Sequence, residues 1–310
     1  MKKYYIYVKL VIIVLLLSNG LAKAQHPAVH SLYMFDQLMI NPAYAGVHVQ
    51  FSASGHYRNQ WVNFPGSPKT GTIAMQSTVA QNKLGLGLVM FKDVIGAHVD
   101  LGASMSYSYK LQLPVGNLSM GLSAGFQSLE TDFNSLTKRD LNGPLLTGVY
   151  KKVNPNFGVG LFYTSKSFFM GASAPYLLNS AVIDAAGILS EASRTRIYYL
   201  TIGNTFKLSP DVKVMPSALL RIWERAPISF DLSTNFIFYD AVGFGASYRL
   251  IEGLILMTEL KVNENFHVGY AYDVTTSEIQ RYANGTHEIM LNYRIKIPRL
   301  HKGLECPSYF

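Results

Sequence analysis

The feature that most limits the possible folds is an alternation of apolar and small polar side chains along most of the chain. From Val99 to Leu111 the odd positions are Val, Leu, Ala, Met, Tyr, Tyr and Leu, and the even positions between them are Asp, Gly, Ser, Ser, Ser and Lys. Successive side chains of a β-strand point to opposite faces, so this pattern predicts a strand with one apolar and one polar face. The alternation recurs from Leu118 to Phe126 and from Val242 to Leu250. We therefore predict an all-β protein.

Composition indicates which solvent meets each face. Hydrophobic residues make up 49% of the chain and charged residues only 15%, whereas soluble domains carry about 25% charged residues. After residue 24, no apolar run reaches the roughly 20 residues that a membrane-spanning helix needs. In lipid, backbone polar groups must be satisfied within the protein, so a closed β-barrel is the alternative way to span the membrane. We predict a transmembrane barrel of the outer-membrane type, with its apolar face toward lipid.

The alternating segments give about 14 antiparallel strands, an even number that suits a bacterial barrel with both ends on one side. The predicted strands span residues 47–58, 69–79, 83–92, 97–113, 117–127, 156–164, 167–175, 195–208, 212–223, 227–238, 241–250, 253–262, 265–274 and 286–297. Connections after odd-numbered strands include every long loop, among them 59–68, 128–155 and 176–194, and connections after even-numbered strands are tight turns. This asymmetry predicts long loops outside the cell and both termini in the periplasm.

A soluble β-sandwich is the main alternative, because it also consists of short alternating strands. Its water-facing side would be expected to carry more Lys and Glu than the Gly, Ser, Asn and Thr found here. Aromatic residues near the predicted strand ends resemble the interfacial belts of membrane proteins; they are Tyr57, Trp61, Phe64, Tyr107, Tyr109, Tyr198, Tyr199, Phe236, Phe238 and Tyr239. Both observations favour the barrel.

The chain divides into four parts. Residues 1–24 combine an N-terminal pair of lysines, the apolar run Val11–Leu17 and the sequence Ala-Lys-Ala before Gln25, which together predict a secretory signal peptide. Residues 25–46 are too apolar for a free tail, so we expect a periplasmic, plug-like segment that packs on or in the barrel of residues 47–297. Residues 298–310 are predicted to be a periplasmic tail. The loop 128–155 is a second candidate for filling the lumen.

The polar face predicts a cross-linked lumen. Mixed charges of both signs point inward by the alternation, at His56, Arg58, Asp100, Lys110, Lys213, Arg221, Asp231, Arg249, Glu259, Lys261, Asp273, Glu288, Arg294 and Lys296. Buried charges need partners, so this set favours a hydrogen-bonded interior over a charge-selective pore.

The sequence offers no catalytic, metal or cofactor motif, and we predict a non-enzymatic protein. The single Cys306 lacks a neighbouring His-Asp or His-Asn motif, and Gly85–Phe91 lacks the lysine of a phosphate-binding loop. Four of the 27 basic residues lie in 1–24, which leaves 23 against 19 acidic residues. That excess is too small and dispersed for nucleic-acid binding, so the first expected partner is outer-membrane lipid.

Five ordered motifs carry a resemblance to a known family: "YMFDQLMINPAYAG" at 33–46, "YRNQWVNFPGSPKT" at 57–70, "DVIG" at 93–96, "VGYAYDVTTSEI" at 268–279 and "GTHEIMLNYR" at 285–294. In these motifs the chain resembles the PorP/SprF membrane proteins of the type IX secretion and gliding machinery of Bacteroidota. The resemblance implies an outer-membrane barrel needed for secretion or surface retention of large adhesins through their C-terminal domains. It also implies periplasmic partners in the type IX ring or linked to peptidoglycan, and it offers no catalytic residues.

We expect structural roles for the motif residues Asn41, Pro42, Gly46, Arg58, Gln60, Trp61, Pro65, Pro68, Gly96, Tyr270, Tyr272, Asp273, His287, Glu288 and Leu291. Trp61 and Phe64 in the first long loop, together with Phe310 at the end of the tail, are candidate partner-binding residues. The alternative function is an outer-membrane channel or a hydrophobic-solute transporter plugged by its N-terminal segment.

Overall fold

The computed structural model shows a closed barrel of fourteen antiparallel strands, which confirms the predicted fold. It describes residues 29–48, 50–80, 82–135, 148–178, 180–183, 189–194, 196–224, 227–250, 252–276 and 278–296. The barrel strands are β1 (Gln50–Asn59), β2 (Lys69–Val79), β3 (Leu84–Ile95), β4 (His98–Leu113), β5 (Gly116–Asp132), β6 (Val149–Thr164), β7 (Phe168–Tyr176), β8 (Ile197–Asn204), β9 (Val212–Trp223), β10 (Ser229–Phe238), β11 (Val242–Arg249), β12 (Gly253–Lys261), β13 (Phe266–Thr275) and β14 (Thr286–Lys296). Among the described residues, no helix is long and apolar enough to cross a membrane.

The strands pair in sequence order, and the first strand closes the ring with the last. β1 pairs with β14 from Gln50 opposite Lys296 to Asn59 opposite His287. β8 pairs with β7 on one side and β9 on the other, and Phe206–Ser209 continues along β9 after a break at Thr205. A short hairpin, Ser180–Ile183 with Leu189–Arg194, forms a separate two-stranded sheet. The sequence had predicted only a loop there.

The barrel has two different rims. One, the turn rim, carries the short connections 80–83, 114–115, 165–167, 210–211, 239–241 and 262–265. The other, the loop rim, carries the connections 60–68, 96–97, 133–148, 177–196, 224–228, 250–252 and 276–285. The predicted assignment of the loop rim to the cell exterior, with both termini in the periplasm, stays a prediction.

The two faces of each strand divide as the alternation predicts. In β1, Ser52, Ser54, His56 and Arg58 are at most 5% exposed and face the lumen, whereas Tyr57 on the outer face is 52% exposed. Tyr199 departs from the predicted aromatic belt. It lies inside the barrel at 6% exposure, because its neighbour Tyr198 takes the outer face of the same strand.

The loop predicted at 128–155 is largely strand, so that prediction was wrong in its bounds. β5 continues to Asp132 and β6 begins at Val149, and these two residues pair with each other. The alternation fades here because residues such as Glu130 and Lys151 are charged, while backbone pairing continues without it. The described part of this region belongs to the wall rather than to the lumen, and residues 136–147 lie outside the described residues.

The lumen contains the described residues that precede β1. We call residues 29–48 the lumen segment; residues 30–47 are buried apart from Met39, which is half-buried. The segment forms two 3₁₀ turns, Gln37–Met39 and Pro42–Tyr44. Asp36 and Asn41 begin these turns, and their side-chain oxygens accept from the backbone N–H groups of Leu38 and Ala43. Side-chain oxygens of Asp and Asn commonly satisfy such free N–H groups.

Candidate functional site

The lumen segment crosses the barrel from the level of the loop rim to the level of the turn rim. At its first end His30 contacts Thr72, near the loop-rim end of β2. At its last end the Gly46 carbonyl accepts from Thr78, near the turn-rim end of the same strand. The segment therefore lines the height of the lumen and is the structural feature around which a candidate site can be built.

Buried charges hold the first end of the segment. Arg58 on β1 donates to Asp273 on β13 at 2.7 Å and to Glu288 on β14 at 3.2 Å. Ser31 of the lumen segment lies among these three charges: its Oγ donates to Asp273 at 2.8 Å, and its backbone N–H donates to Glu288 at 2.7 Å. Arg58 also donates to the Ser31 Oγ at 2.8 Å. One short stretch of the segment is thereby bonded to β1, β13 and β14, where the first and last strands close the ring.

A second ion cluster continues along the wall. Asp231 on β10 pairs with Arg221 on β9 and with Arg249 on β11, the latter at 3.1 Å. Arg249 in turn lies 3.8 Å from Asp273, which links this cluster to the one around Arg58. Arg221, Asp231, Arg249 and Glu288 are all 0% exposed. With Glu252, which lies 3.0 Å from Arg249, three arginines and four carboxylates thus form one network in which each charge has an opposite partner.

Such a network acts mainly through the cost of breaking it. Taking charges out of water is expensive, and a buried ion pair stabilises little compared with apolar packing, but removing one partner costs about 3–5 kcal/mol. The network therefore fixes which strands and which part of the lumen segment meet. The contacts that it makes are thus contacts of structural recognition within the chain.

One cluster in the described part of the chain has ligand types that a metal could use. His30, His56 and Glu288 present atoms that all lie within 4.8 Å of one another. However, the Glu288 carboxylate already accepts from His30 Nδ1 at 3.1 Å, from the Ser31 N–H and from Arg58. A cation there would stand beside a guanidinium and compete with these donors, so hydrogen bonding explains the arrangement.

Close backbone approach holds the last end of the segment. A Cβ placed on Gly121 of β5 would lie 2.2 Å from the Ala43 nitrogen, and one on Gly85 of β3 would lie 1.9 Å from the Ala45 carbonyl oxygen. Real Cβ atoms do not approach backbone so closely, so only glycine allows the segment to lie against the wall here. The small residues of the alternating pattern therefore make room for a second layer of chain inside the barrel.

Polar side chains of the wall satisfy the carbonyl groups of this end. Ser108 donates to the Ala45 carbonyl at 2.6 Å, and Lys110 donates to the Gly46 carbonyl at 2.9 Å. Asn41 donates to the Leu161 carbonyl at 3.0 Å. Buried backbone groups need such partners, so the segment is bound over its length.

The first long loop, 60–68, is fixed to its neighbours on the loop rim. Gln60 N–H donates to the Pro68 carbonyl at 2.9 Å, and Val62 N–H donates to the Gly285 carbonyl at 3.0 Å. Phe64 is 38% exposed, and Trp61 is half-buried beside Thr286, whose Oγ1 accepts from the Trp61 N–H at 3.2 Å. Phe64 thus meets the solvent, whereas Trp61 lies partly within the rim.

The other motif residues occupy three kinds of place. Asn41, Pro42 and Gly46 lie in the lumen segment; Arg58, Asp273 and Glu288 form its ion network. On the outer face near the loop rim, Tyr270 pairs through its hydroxyl with His287 Nδ1 at 2.7 Å, and the Tyr272 ring lies 5.0 Å from the same imidazole, tilted by 54°. Leu291 is 48% exposed on the outer face. Pro65 and Gly96 lie on the loop rim, where Gly96 donates to the Gly66 carbonyl at 3.0 Å.

Several residues of the network and of the lumen segment were absent from the sequence-based site. His30, Ser31 and Asp36 belong to the lumen segment, and Arg221, Asp231 and Arg249 were predicted only to face inward. Polar residues within an otherwise apolar stretch were the available signal for the first three. Phe310 and Cys306 lie outside the described residues.

The fold and the filled, charge-balanced lumen define an outer-membrane β-barrel. Residues 22–293 match the family described as "Type IX secretion system membrane protein PorP/SprF", and the chain belongs to that family. No curated protein matches it.

Solved structures show the likeness in fold. The CymD monoaromatic hydrocarbon channel is 10% identical at a TM-score of 0.55, over 86% of this chain and 94% of that one. The Pseudomonas putida toluene transporter TodX is 11% identical to this chain at a TM-score of 0.50, and the match covers 90% of this chain and 97% of that one.

Proposed function

We propose that the chain is a non-enzymatic scaffold of the type IX machinery that supports secretion or surface attachment of an adhesin through the adhesin's C-terminal domain. In this proposal it also contacts periplasmic components of the type IX ring or proteins linked to peptidoglycan. Family membership supports a role in this secretion system. The adhesin, the periplasmic contacts and the absence of catalysis belong to the proposal.

The observation that carries the proposal is the filled lumen. Residues 30–47 occupy the interior with almost no exposed surface, and a network of buried ion pairs ties them to the wall. Two cavities beside the segment and below the rim measure about 40 Å³ each, which is room for a few water molecules. In this proposal the barrel acts through its rims rather than through a pore.

The test joins conductance with partner recovery. The full chain, purified from outer membrane in detergent, should be nearly silent in planar bilayers, and it should co-purify with a large secreted adhesin or with periplasmic ring components identified by mass spectrometry. A known open porin, handled in the same way, shows that channels survive the procedure. Steady porin-like conductance together with recovery of the barrel alone would contradict the scaffold role.

A second candidate is a transporter of hydrophobic solutes. CymD and TodX, which share the fold, are described as a hydrocarbon channel and a toluene transporter. In this chain an apolar depression of about 540 Å³ lies on the lipid-facing side of the wall, where its lining includes Leu161, Met170 and Leu200, which are 50%, 49% and 45% exposed. Uptake of toluene into vesicles containing the barrel, above that of empty vesicles, would favour this candidate, and equal uptake would count against it.

A further inference from the structure

The wall of the barrel is uneven between β6 and β7. β5 and β6 pair from Asn117 opposite Thr164 to Asp132 opposite Val149. β7 pairs with β6 only between Val159 and Thr164. Over residues 149–155, β6 therefore has β5 on one side, and no strand of the described chain pairs with it on the other.

This part of β6 stands beyond the apolar band. β5 has 17 residues, whereas about 9–11 residues suffice for a strand to cross a membrane. Near the loop rim, Lys151 and Glu130 form an ion pair at 3.3 Å with side chains that are 61% and 41% exposed. Exposed charges of this kind belong in water. We call the side of β6 away from β5, at Val149, Lys151 and Val153, the free edge.

The direction of the backbone groups follows from two hydrogen bonds. The Phe157 carbonyl accepts from the Leu177 N–H at 2.9 Å, on the side of β7, whereas the Gly148 carbonyl accepts from the Phe133 N–H at 3.0 Å, on the side of β5. Backbone groups of successive residues in an antiparallel strand point to opposite sides. Val149, Lys151 and Val153 therefore direct their N–H and C=O groups to the open side.

Pro155 fits this assignment. It has the same parity as Val153, so its missing N–H would lie on the open side and leave the pairing with β5 intact. Natural edge strands are often protected by Pro and Lys, and Pro155 and Lys151 are such residues. Even so, Val149, Lys151 and Val153 each keep a backbone N–H donor and a C=O acceptor on the open side.

We infer that the free edge binds an extended strand of the secreted client by backbone pairing. Val149 and Val153 are each 59% exposed and flank Lys151 on the same face. Residues directly opposite each other on paired strands favour apolar with apolar and acidic with basic side chains. The client strand is therefore one with an acidic residue between two apolar residues, and this acidic residue would share Lys151 with Glu130. This inference deepens the proposed function and rests on it for the source of the strand.

The binding test uses the purified full chain in detergent and two labelled peptides. One alternates Val with Glu, and the other alternates Val with Lys. The Glu peptide should bind at least tenfold more tightly than the Lys peptide, as measured by fluorescence anisotropy. V153P should weaken Glu-peptide binding at least tenfold, because it removes one open-side donor, and V153T, which keeps the backbone N–H, should bind as the wild type does.

Two results would overturn the inference: equal binding by V153P and the wild type, or no binding of the Glu peptide at millimolar concentration. Heat-modifiable migration on gels checks that both variants form a barrel.

Co-purification separates this inference from the proposed function. If the wild type and V153P recover the same adhesin in equal amount, the free edge is not its binding site and the scaffold role stands. Loss of the adhesin from V153P but not from V153T supports the edge. If the wild type recovers no adhesin and no ring component, the proposed function fails, and the peptide measurement still decides the edge.

Discussion

The two ends of the lumen segment are held by different physical means. Near the loop rim, Ser31 and His30 are bound by buried charges that must be matched in sign and position. Near the turn rim, Ala43 and Ala45 lie against glycines of the wall, where shape alone decides the fit. The wall of the barrel thus holds the lumen segment by matched charges at one end and by the absence of side chains at the other. The loss of stability on disturbing each end should therefore differ.

The largest expected effect is at the charged end. Arg58→Met leaves Asp273 and Glu288 without their main partner inside the barrel and should lower the free energy of unfolding by about 3–5 kcal/mol. Guanidinium unfolding in detergent, followed by tryptophan fluorescence, measures the change. The matched control is Lys151→Met, which breaks an exposed pair with Glu130 and should cost less than about 1 kcal/mol. Equal losses of stability in the two variants would show that the buried network contributes no more to stability than the exposed ion pair.

The glycine end should respond less strongly. Gly121→Ala places a methyl group 2.2 Å from the Ala43 nitrogen, and relief of this overlap should cost about 1–3 kcal/mol. Gly55→Ala is the control, because a Cβ there meets nothing within 4 Å. The same unfolding measurement applies. If Gly121→Ala is as stable as Gly55→Ala, the segment does not lie against β5 as described.

A smaller effect tests the polar bonds between the two ends. Asn41→Ala removes the cap on the second 3₁₀ turn and the bond to the Leu161 carbonyl, so we expect a loss of about 1–2 kcal/mol. Asn263 makes a similar bond to the Asn265 N–H, but in an exposed turn, and Asn263→Ala should cost about half as much or less. A reversed order would show that the lumen environment adds nothing to this bond.

The smallest effect is expected on the outer face. Tyr270→Phe removes an exposed hydroxyl that bonds to His287 and should change the free energy of unfolding by no more than about 0.5 kcal/mol. Insertion into outer membrane, measured by heat-modifiable migration in membrane fractions, should also be unchanged. A large loss would mean that this pair, rather than backbone pairing alone, holds the closing strands.

The sequence predicts the faces of the strands better than their neighbours. Alternation places Arg58, Asp231 and Glu288 inside, and the structure buries all three. It does not predict that Arg58 meets Asp273 or that Asp231 bridges two arginines, because such pairs depend on how far each strand is shifted along the next.

Two other features escaped prediction for separate reasons. The pairing of Glu130 with Lys151 at the end of β5 and β6 lies beyond the lipid, where an apolar face is not required and the alternation gives no signal. The fit at Gly121 depends on a segment far away in sequence, and small residues in a barrel strand are also expected without any such contact. The sequence pattern therefore indicated an occupied lumen, but not which wall residues the lumen segment contacts.

The pairing of the first strand with the last has a consequence for the order of assembly. Arg58 and Glu288 are 230 positions apart and come from the first and last strands, so their contact belongs among the latest and slowest steps of folding. The lumen segment joins β1 only four residues after Gly46, and therefore reaches the closing site with the first strand. When β1 and β14 pair around the segment, Ser31 contacts Arg58, Asp273 and Glu288. If the two strands paired before the segment was in place, these three charges would lack the contacts with Ser31. The Ser31 contacts therefore exist only in a barrel that has closed in this register with the segment inside.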